Sequence, residues 1–371
     1  MKSFFNSQEF GDLTKIIQIM FDQASEQHVT LFGKTYIDDW FTYELPQFGL
    51  SVDELVGKYH LRVMASVIAD KSLPPTRRWE GLQNYHGEIP RIGHKVIMDV
   101  DQLRKTQQYL ESRRISDEAK KRKLLDTMIG NTRDVVLGVK DTLDFIVLSA
   151  MFNGGIVEFN EFNNPEGIRY TTNYLMPEAN KLKAPTAWTD DALKNGTIDP
   201  VEEFLSVIQK FKNKVQFESI LVSPTLRYKI LRSKMLRLAI RGVDKAATPV
   251  RDDELNAELG RLGIPPIQEI TKANDVLKDG IRQEVTPIND DTAVFKPVGK
   301  LGIIQPAFED NEIVEEDNVS YANMENGIRT AQWKVGESTG QVAGEYMQAS
   351  TRALPIFQAI NGIVNYKVNN L

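Results

Sequence analysis

The sequence predicts an α+β fold in which one long helix joins an extended, strand-rich segment to a compact α/β segment. Three observations carry this. Apolar residues keep a helical period from Leu125 to Ala150. Proline and glycine divide the residues before the helix into short extended runs. After it, helix and strand signals alternate between Asp199 and Gln305.

The helix has the clearest pattern. Leu125, Met128, Ile129, Thr132, Val135, Val136, Val139, Leu143, Ile146, Val147 and Ala150 share one stripe of a 3.6-residue period. Ser116 is placed to cap it, Asp117 and Glu118 put negative charge on its positive end, and Asn153-Gly154-Gly155 supplies the stop. The predicted span, residues 117–151, measures about 50 Å, more than one compact domain of this size needs. A beam of that length points to an architectural role.

The other elements follow in order. Residues 1–30 mix short helical signals (Ile16, Ile17, Ile19, Met20, Phe21) with polar sequence, an arm expected to pack when a neighbour is present. His60–Ile68 reads as a strand and Gly87–Met98 as a second extended run. Between them, Leu73-Pro74-Pro75-Thr76-Arg77-Arg78-Trp79 cannot sit inside a sheet, because each proline removes a donor. A long projecting hairpin results, too poor in apolar face to be stable alone, so it should lie on something, such as another subunit. A short helix is expected over residues 101–113 and loops over 153–195. Asp199 then caps a helix with Pro200 in its first turn, Glu202 as the reciprocal partner, and Phe204, Leu205, Ile208 and Phe211 on its apolar face. A strand at residues 219–224, a helix at 225–238 and strands at 264–270, 292–297 and 301–305 complete a compact α/β domain, residues 199–310. The acidic run from Glu309 to Asp317 reads as an exposed boundary. Strands at 327–337 and 341–350 and a mostly apolar terminal strand at 356–368 finish the chain.

Composition narrows the function. The 371 residues are 41% hydrophobic and 26% charged, which suits a globular protein with a sizeable core, and no run is long and apolar enough to span a membrane. The first residues are not those of a secretory signal. With no cysteine, disulfides, thiolate nucleophiles and thiolate zinc sites are excluded; assembly in a reducing cytoplasm fits. A net charge of −6 argues against tight, sequence-independent binding to nucleic acid and is compatible with a shell that encloses it without gripping it. Catalytic signatures fail one by one. None of His28, His60, His86 and His94 lies within four residues of another; His86 and His94 could meet only across a hairpin. Gly33-Lys34-Thr35 lacks the earlier glycine of a phosphate loop, since position 28 is histidine. The pairs Asp38/Asp39, Asp190/Asp191, Asp252/Asp253 and Asp290/Asp291 read as caps or solvated loops. No catalytic, cofactor or metal residue is assigned.

The order of arm, projecting hairpin, spine helix, inserted α/β domain and returning strands resembles tailed-bacteriophage major capsid proteins of the Hong Kong 97 fold, and in sequence style the lambda-type major capsid protein E group. The segments that carry the resemblance are Glu111–Phe152, Asp199–Pro224, Leu259–Ile267 and Val294–Gly302. It implies an amino-terminal arm and lead-in (1–55), an extended loop lying over a neighbour (56–100), a peripheral domain (101–195) with return strands (318–371), and an axial domain (196–317). Arg77, Arg78, Arg91 and Lys95 would meet acidic surface on a neighbour, with Trp79 and Tyr85 as apolar anchors. Copies of the chain would form the hexamers and pentamers of an icosahedral virion shell around double-stranded DNA, assembled in the host bacterial cytoplasm, with separate scaffolding, portal and decoration proteins as partners and no cofactor or membrane. An encapsulin-like nanocompartment is the alternative within the fold; a portal or tail protein and a cytosolic α/β enzyme with a ligand site in 199–310 lie outside it.

Overall fold

The computed structural model describes residues 35–56, 83–112, 116–243, 248–336 and 340–369. A helical turn, α1 (Ile37–Trp40), runs straight into β1 (Phe41–Tyr43). The antiparallel ladder of β2 (Ser51–Val56) and β3 (Gln83–Glu88) follows, then β4 (Arg91–Asp99). Helices α2 (Val100–Glu111) and α3 (Asp117–Phe152) lead to a hairpin of β5 (Ile156–Phe159) and β6 (Tyr170–Asn173), and to β7 (Lys181–Lys183). Next come α4 (Asp190–Asn195), α5 (Pro200–Phe211), β8 (Phe217–Val222), α6 (Pro224–Arg232), α7 (Lys234–Arg241), α8 (Asp252–Arg261) and β9 (Ile267–Glu269). A hairpin of β10 (Asn274–Lys278) and β11 (Ile281–Val285) precedes β12 (Thr292–Pro297) and β13 (Gly302–Ala307). The chain ends with α9 (Asp310–Ile313), β14 (Ser320–Asn323), β15 (Arg329–Val335), β16 (Gly344–Ile356) and β17 (Val364–Lys367).

Two sheets share the long helix. The five-stranded sheet runs β7-β17-β12-β8-β9. Side chains alternate across it, so Ile220, Val222, Ala293, Phe295, Val364 and Tyr366 enter a core with Trp188, Phe204, Phe211, Leu226 and Leu259 of the helical layer. Leu221 and Val294 point the other way, toward α3. The six-stranded sheet runs β1-β13-β16-β15-β14, with β4 along the other side of β16. Its inner face sets Met347, Ala349 and Ala322 against Val135, Val136 and Val139 of α3. Every residue of α3 from Leu143 to Phe152 is buried, and these turns share one core with Leu221 and Val294 of the first sheet and Ile304, Leu354 and Ile356 of the second. A helix apolar on all sides belongs between layers, and α3 is the keel on which both sheets rest.

Local expectations hold where the signal is local. The spine helix covers residues 117–152, and α2 starts at a capping box in which Asp99 accepts from the amide of Gln102 at 2.8 Å. Asp199 accepts from the amides of Val201 and Glu202 at the start of α5, and β12 spans 292–297. Other expectations are corrected. The helix foreseen at 225–238 breaks at Ser233 (φ −57°, ψ 130°). Leu236 lies six positions past Ile230, off its stripe in a straight helix, and the break brings both into one core. The terminal strand is divided by a 3-10 turn at Ile360–Gly362. Residues 91–99 do not project: β4 pairs with β16 from Asp99 opposite Gly344 to Arg91 opposite Arg352. β13, expected in the α/β domain, belongs to the six-stranded sheet, whereas β7 and β17, expected in the peripheral domain, belong to the five-stranded one. Apolar alternation marks a strand but does not name its partner. The strand foreseen at His60–Ile68 and the tip at Leu73–Trp79 lie outside the described residues.

Candidate assembly surface

The chain enters the described fold at a buried charge cluster. Asp144, in the last third of the keel helix, is 0% exposed. It accepts from the amides of Tyr36 (3.0 and 3.1 Å) and Ile37 (2.8 Å) and faces the ammonium of Lys272 at 3.2 Å. Lys272 also reaches Asp141 at 2.7 Å. Burial pushes the Asp144 carboxyl up to about 6, although Lys272 and the two amides pull the other way. Burial would lower Lys272, but the two carboxylates outweigh it and hold the ammonium above its ordinary value. The cluster ties the root of the arm, the keel and the loop before β10 at one point.

The ladder of β2 and β3 packs on the body through one face. Val52, Tyr85 and Ile89 are buried there, and the Tyr85 ring stacks on Tyr174 at 5.3 Å, its hydroxyl 2.9 Å from that of Thr172. Gly87 leaves the room: a Cβ there would sit 2.6 Å from the Tyr85 hydroxyl and 2.8 Å from Leu354. Tyr85, expected as an anchor on a neighbour, is instead 1% exposed in its own subunit's core. The alternation of Val52, and of Tyr85, Gly87 and Ile89, was the available signal. His86 bonds Asp53 at 2.7 Å, while His94 stands opposite Ala349 in another sheet, so the two histidines do not meet across a hairpin.

Arg91 and Lys95 sit on the outward face of β4. Lys95 is exposed, its ammonium 5.4 Å from the ring centre of Tyr346. Arg91, expected to meet a neighbour's acids, meets its own chain's: Glu309 at 3.1 Å and Asp310 at 3.9 Å. Two more arginines of the sheet do the same. Arg352 on β16 holds Asp310 with contacts of 3.0 and 2.9 Å, and Arg329 on β15 reaches Glu312 at 3.5 Å and also Glu315. The run from Glu309 to Asp317, expected as a solvated boundary, is therefore a strap with four carboxylates turned to the sheet. Glu309 is 1% exposed, and burial raises its pKa against the pull of Arg91. Arg77, Arg78 and Trp79 lie outside the described residues.

Among the described residues no group of three or more histidine or carboxylate side chains could hold a metal, and no helix is long and apolar enough to cross a membrane. A cavity of about 230 Å³ lies between β4, α3 and the two small hairpins, lined by His94, Asp141, Thr142, Phe145, Phe159 and Asn274 among others; the Thr142 hydroxyl donates to the carbonyl of Gly138 and Asp141 holds Lys272.

No family model matches the chain, and no curated protein matches it. Among solved structures it is similar to a protein assigned as the capsid protein of an Escherichia coli CFT073 prophage, with a TM-score of 0.52 and 16% identity over 78% of this chain and 81% of that one. A phage-related protein of Bordetella bronchiseptica RB50 aligns at a TM-score of 0.46 and 9% identity over 93% and 96% of the two chains. A structure from Mycobacterium phage Adephagia aligns at 0.44 and 9% identity over 90% and 89%. The fold is the α+β, Hong Kong 97-type fold of phage capsid proteins.

Proposed function

We propose, starting from the capsid fold of this chain, that it is the major subunit of a tailed-phage shell. Copies assemble into the hexamers and pentamers of a closed icosahedral lattice that encloses double-stranded DNA. The observation that supports this best is the division of labour within the subunit. A keel helix about 54 Å long and two sheets form a rigid body, while the β2–β3 ladder belongs to neither sheet and packs on it through Val52, Tyr85 and Ile89. A rigid body with a lever fits a lattice whose neighbours differ slightly in angle, where many weak contacts add up. Scaffolding, portal and decoration proteins are the expected further partners, and the virion is the expected location.

Negative-stain electron microscopy with light scattering on the purified protein, alone and with lysate of its source, tests the reading. Closed shells, or a mixture of hexamers and pentamers, support it. A uniform monomer or dimer in both conditions sinks it. Rings or tubes point to a portal or tail component, and shells that retain an enzyme rather than DNA point to a nanocompartment.

A further inference from the structure

The cavity beside the keel changes character from floor to rim. Val139 and Phe145 of α3 are 0% and 5% exposed, and the Phe145 ring lies 5.5 Å from that of Phe159 on β5. Asp275 of β10 and His94 of β4, which also line it, are exposed and mark its rim. Gly138 sets the place of His94: a Cβ there would sit 2.4 Å from Nδ1, so the imidazole can lie against the keel only because residue 138 has no side chain.

The side-chain polar groups between floor and rim are acceptors. The Thr142 hydroxyl gives its proton to the carbonyl of Gly138 at 3.0 Å, which leaves its lone pairs to accept. Asn274 donates through Nδ2 to the carbonyl of Asp141 at 3.2 Å, and that bond fixes which end of the amide is oxygen. Its Oδ1 is buried and has no hydrogen-bond partner among the described residues. An orphaned buried oxygen is costly, and here it belongs to the wall of a cavity. Asn163 spends both ends of its amide within its own loop, on Asn160 and Glu158.

The charges agree with the acceptors. The lining includes two carboxylates and no lysine or arginine. Asp141 is engaged by Lys272 at 2.7 Å, whereas Asp275 faces Arg282 at 3.8 Å in an exposed pair that water screens. An occupant must therefore bring N–H donors, positive charge and an apolar body for the two phenyl rings, whose faces attract cations. It must also be small. A volume of about 230 Å³ falls below the ~300–1,000 Å³ of drug-sized sites and far above the ~10–15 Å³ that one water needs.

We propose that this cavity binds a small organic cation, a primary ammonium on a short aliphatic stem. The ammonium donates to Asn274 Oδ1 and faces Asp275, and the stem lies on Phe145 and Phe159. The site is formed within one subunit, so it does not depend on assembly. Its occupant would tie both small hairpins to the keel and to β4.

The test is saturation-transfer NMR with n-butylammonium on the full chain, followed by thermal unfolding at rising probe concentration. Transfer to the stem protons, a Kd of about 1 mM or tighter and a melting temperature that climbs with the probe are expected. Butyrate and 1-butanol keep the stem without the positive charge and should bind about tenfold more weakly or worse. Asp275→Lys reverses the charge at an exposed position and should weaken butylammonium about tenfold. Val285→Trp, on the lining residue opposite Asn274 in the β10–β11 ladder, should fill the space and abolish binding. No saturable binding below about 10 mM, butyrate or butanol binding as well as the amine, or parent-like affinity in an Asp275→Lys variant of unchanged circular dichroism overturns the proposal.

Discussion

In the five-stranded sheet the central strand β12 is buried on both faces, whereas β4, at an edge of the six-stranded sheet, keeps its outer face open. All six residues of β12 are buried, even Lys296, whose ammonium is held by Glu218 at 2.6 Å. On β4, Arg91, Gly93, Lys95 and Ile97 are all exposed. The difference separates two tasks. The first sheet spends its surface on its own helices and on α3; the second leaves the outer side of its edge strand β4 open. If this division is real, substitutions should sort by sheet: unfolding when they strike the first, altered association with unchanged folding when they strike the open face of the second.

The largest effect is expected at the closed sheet. Phe295, 0% exposed and edge-on to Phe204, should cost about 3–5 kcal/mol as Phe295→Ala in urea unfolding. A smaller loss would show that this core can collapse around a hole. Gly302→Ala tests how tightly the second sheet is built on its inner side, because a Cβ there would lie 1.8 Å from the carbonyl oxygen of Ile356. The loss should be about 2 kcal/mol or more, with β13 and β16 forced apart.

Asp144 lies in the core the sheets share and should appear in the pH dependence. Its folded pKa is about 6 and its ordinary value 3.8, so between these the folded state holds a proton that the unfolded chain has released. Its contribution therefore favours folding fully below about pH 3.8 and fades as pH rises through about 6. Unfolding curves of Asp144→Asn against the parent should differ in slope across that window and run parallel above it. The smallest effect is expected at the open face: Lys95→Ala should stay within about 0.5 kcal/mol of the parent in unfolding. A larger loss would mean that the outer face of β4 supports the fold itself.

What the sequence revealed and what it hid follow from the range of the forces. The spine helix, the Asp199 cap and β12 were legible because period, cap and apolar run lie within a few residues of one another. The allocation of β12 and β13 to different sheets was not, although only Val298 to Leu301 separates them. Phe295 finds Ile220 and Val364, while Ile304 finds Tyr43 and Pro355, and nothing near residue 299 records either choice. The division of the terminal strand did have a signal, the turn dipeptide Asn361-Gly362, outweighed by the apolar residues around it. The strap was misread because its partners, Arg91, Arg329 and Arg352, stand on three separate strands, and a charge run without visible partners reads as solvated.

The place of β17 has a consequence for how the subunit is made. It lies between β7 and β12, pairing in parallel with the first and antiparallel with the second, and it supplies Val364 and Tyr366 to the helical core. Until those residues leave the ribosome, β7 has no partner and the five-stranded sheet stays split. A chain still being translated thus lacks a closed five-stranded sheet, and its helical core lacks Val364 and Tyr366, until the last strand has joined.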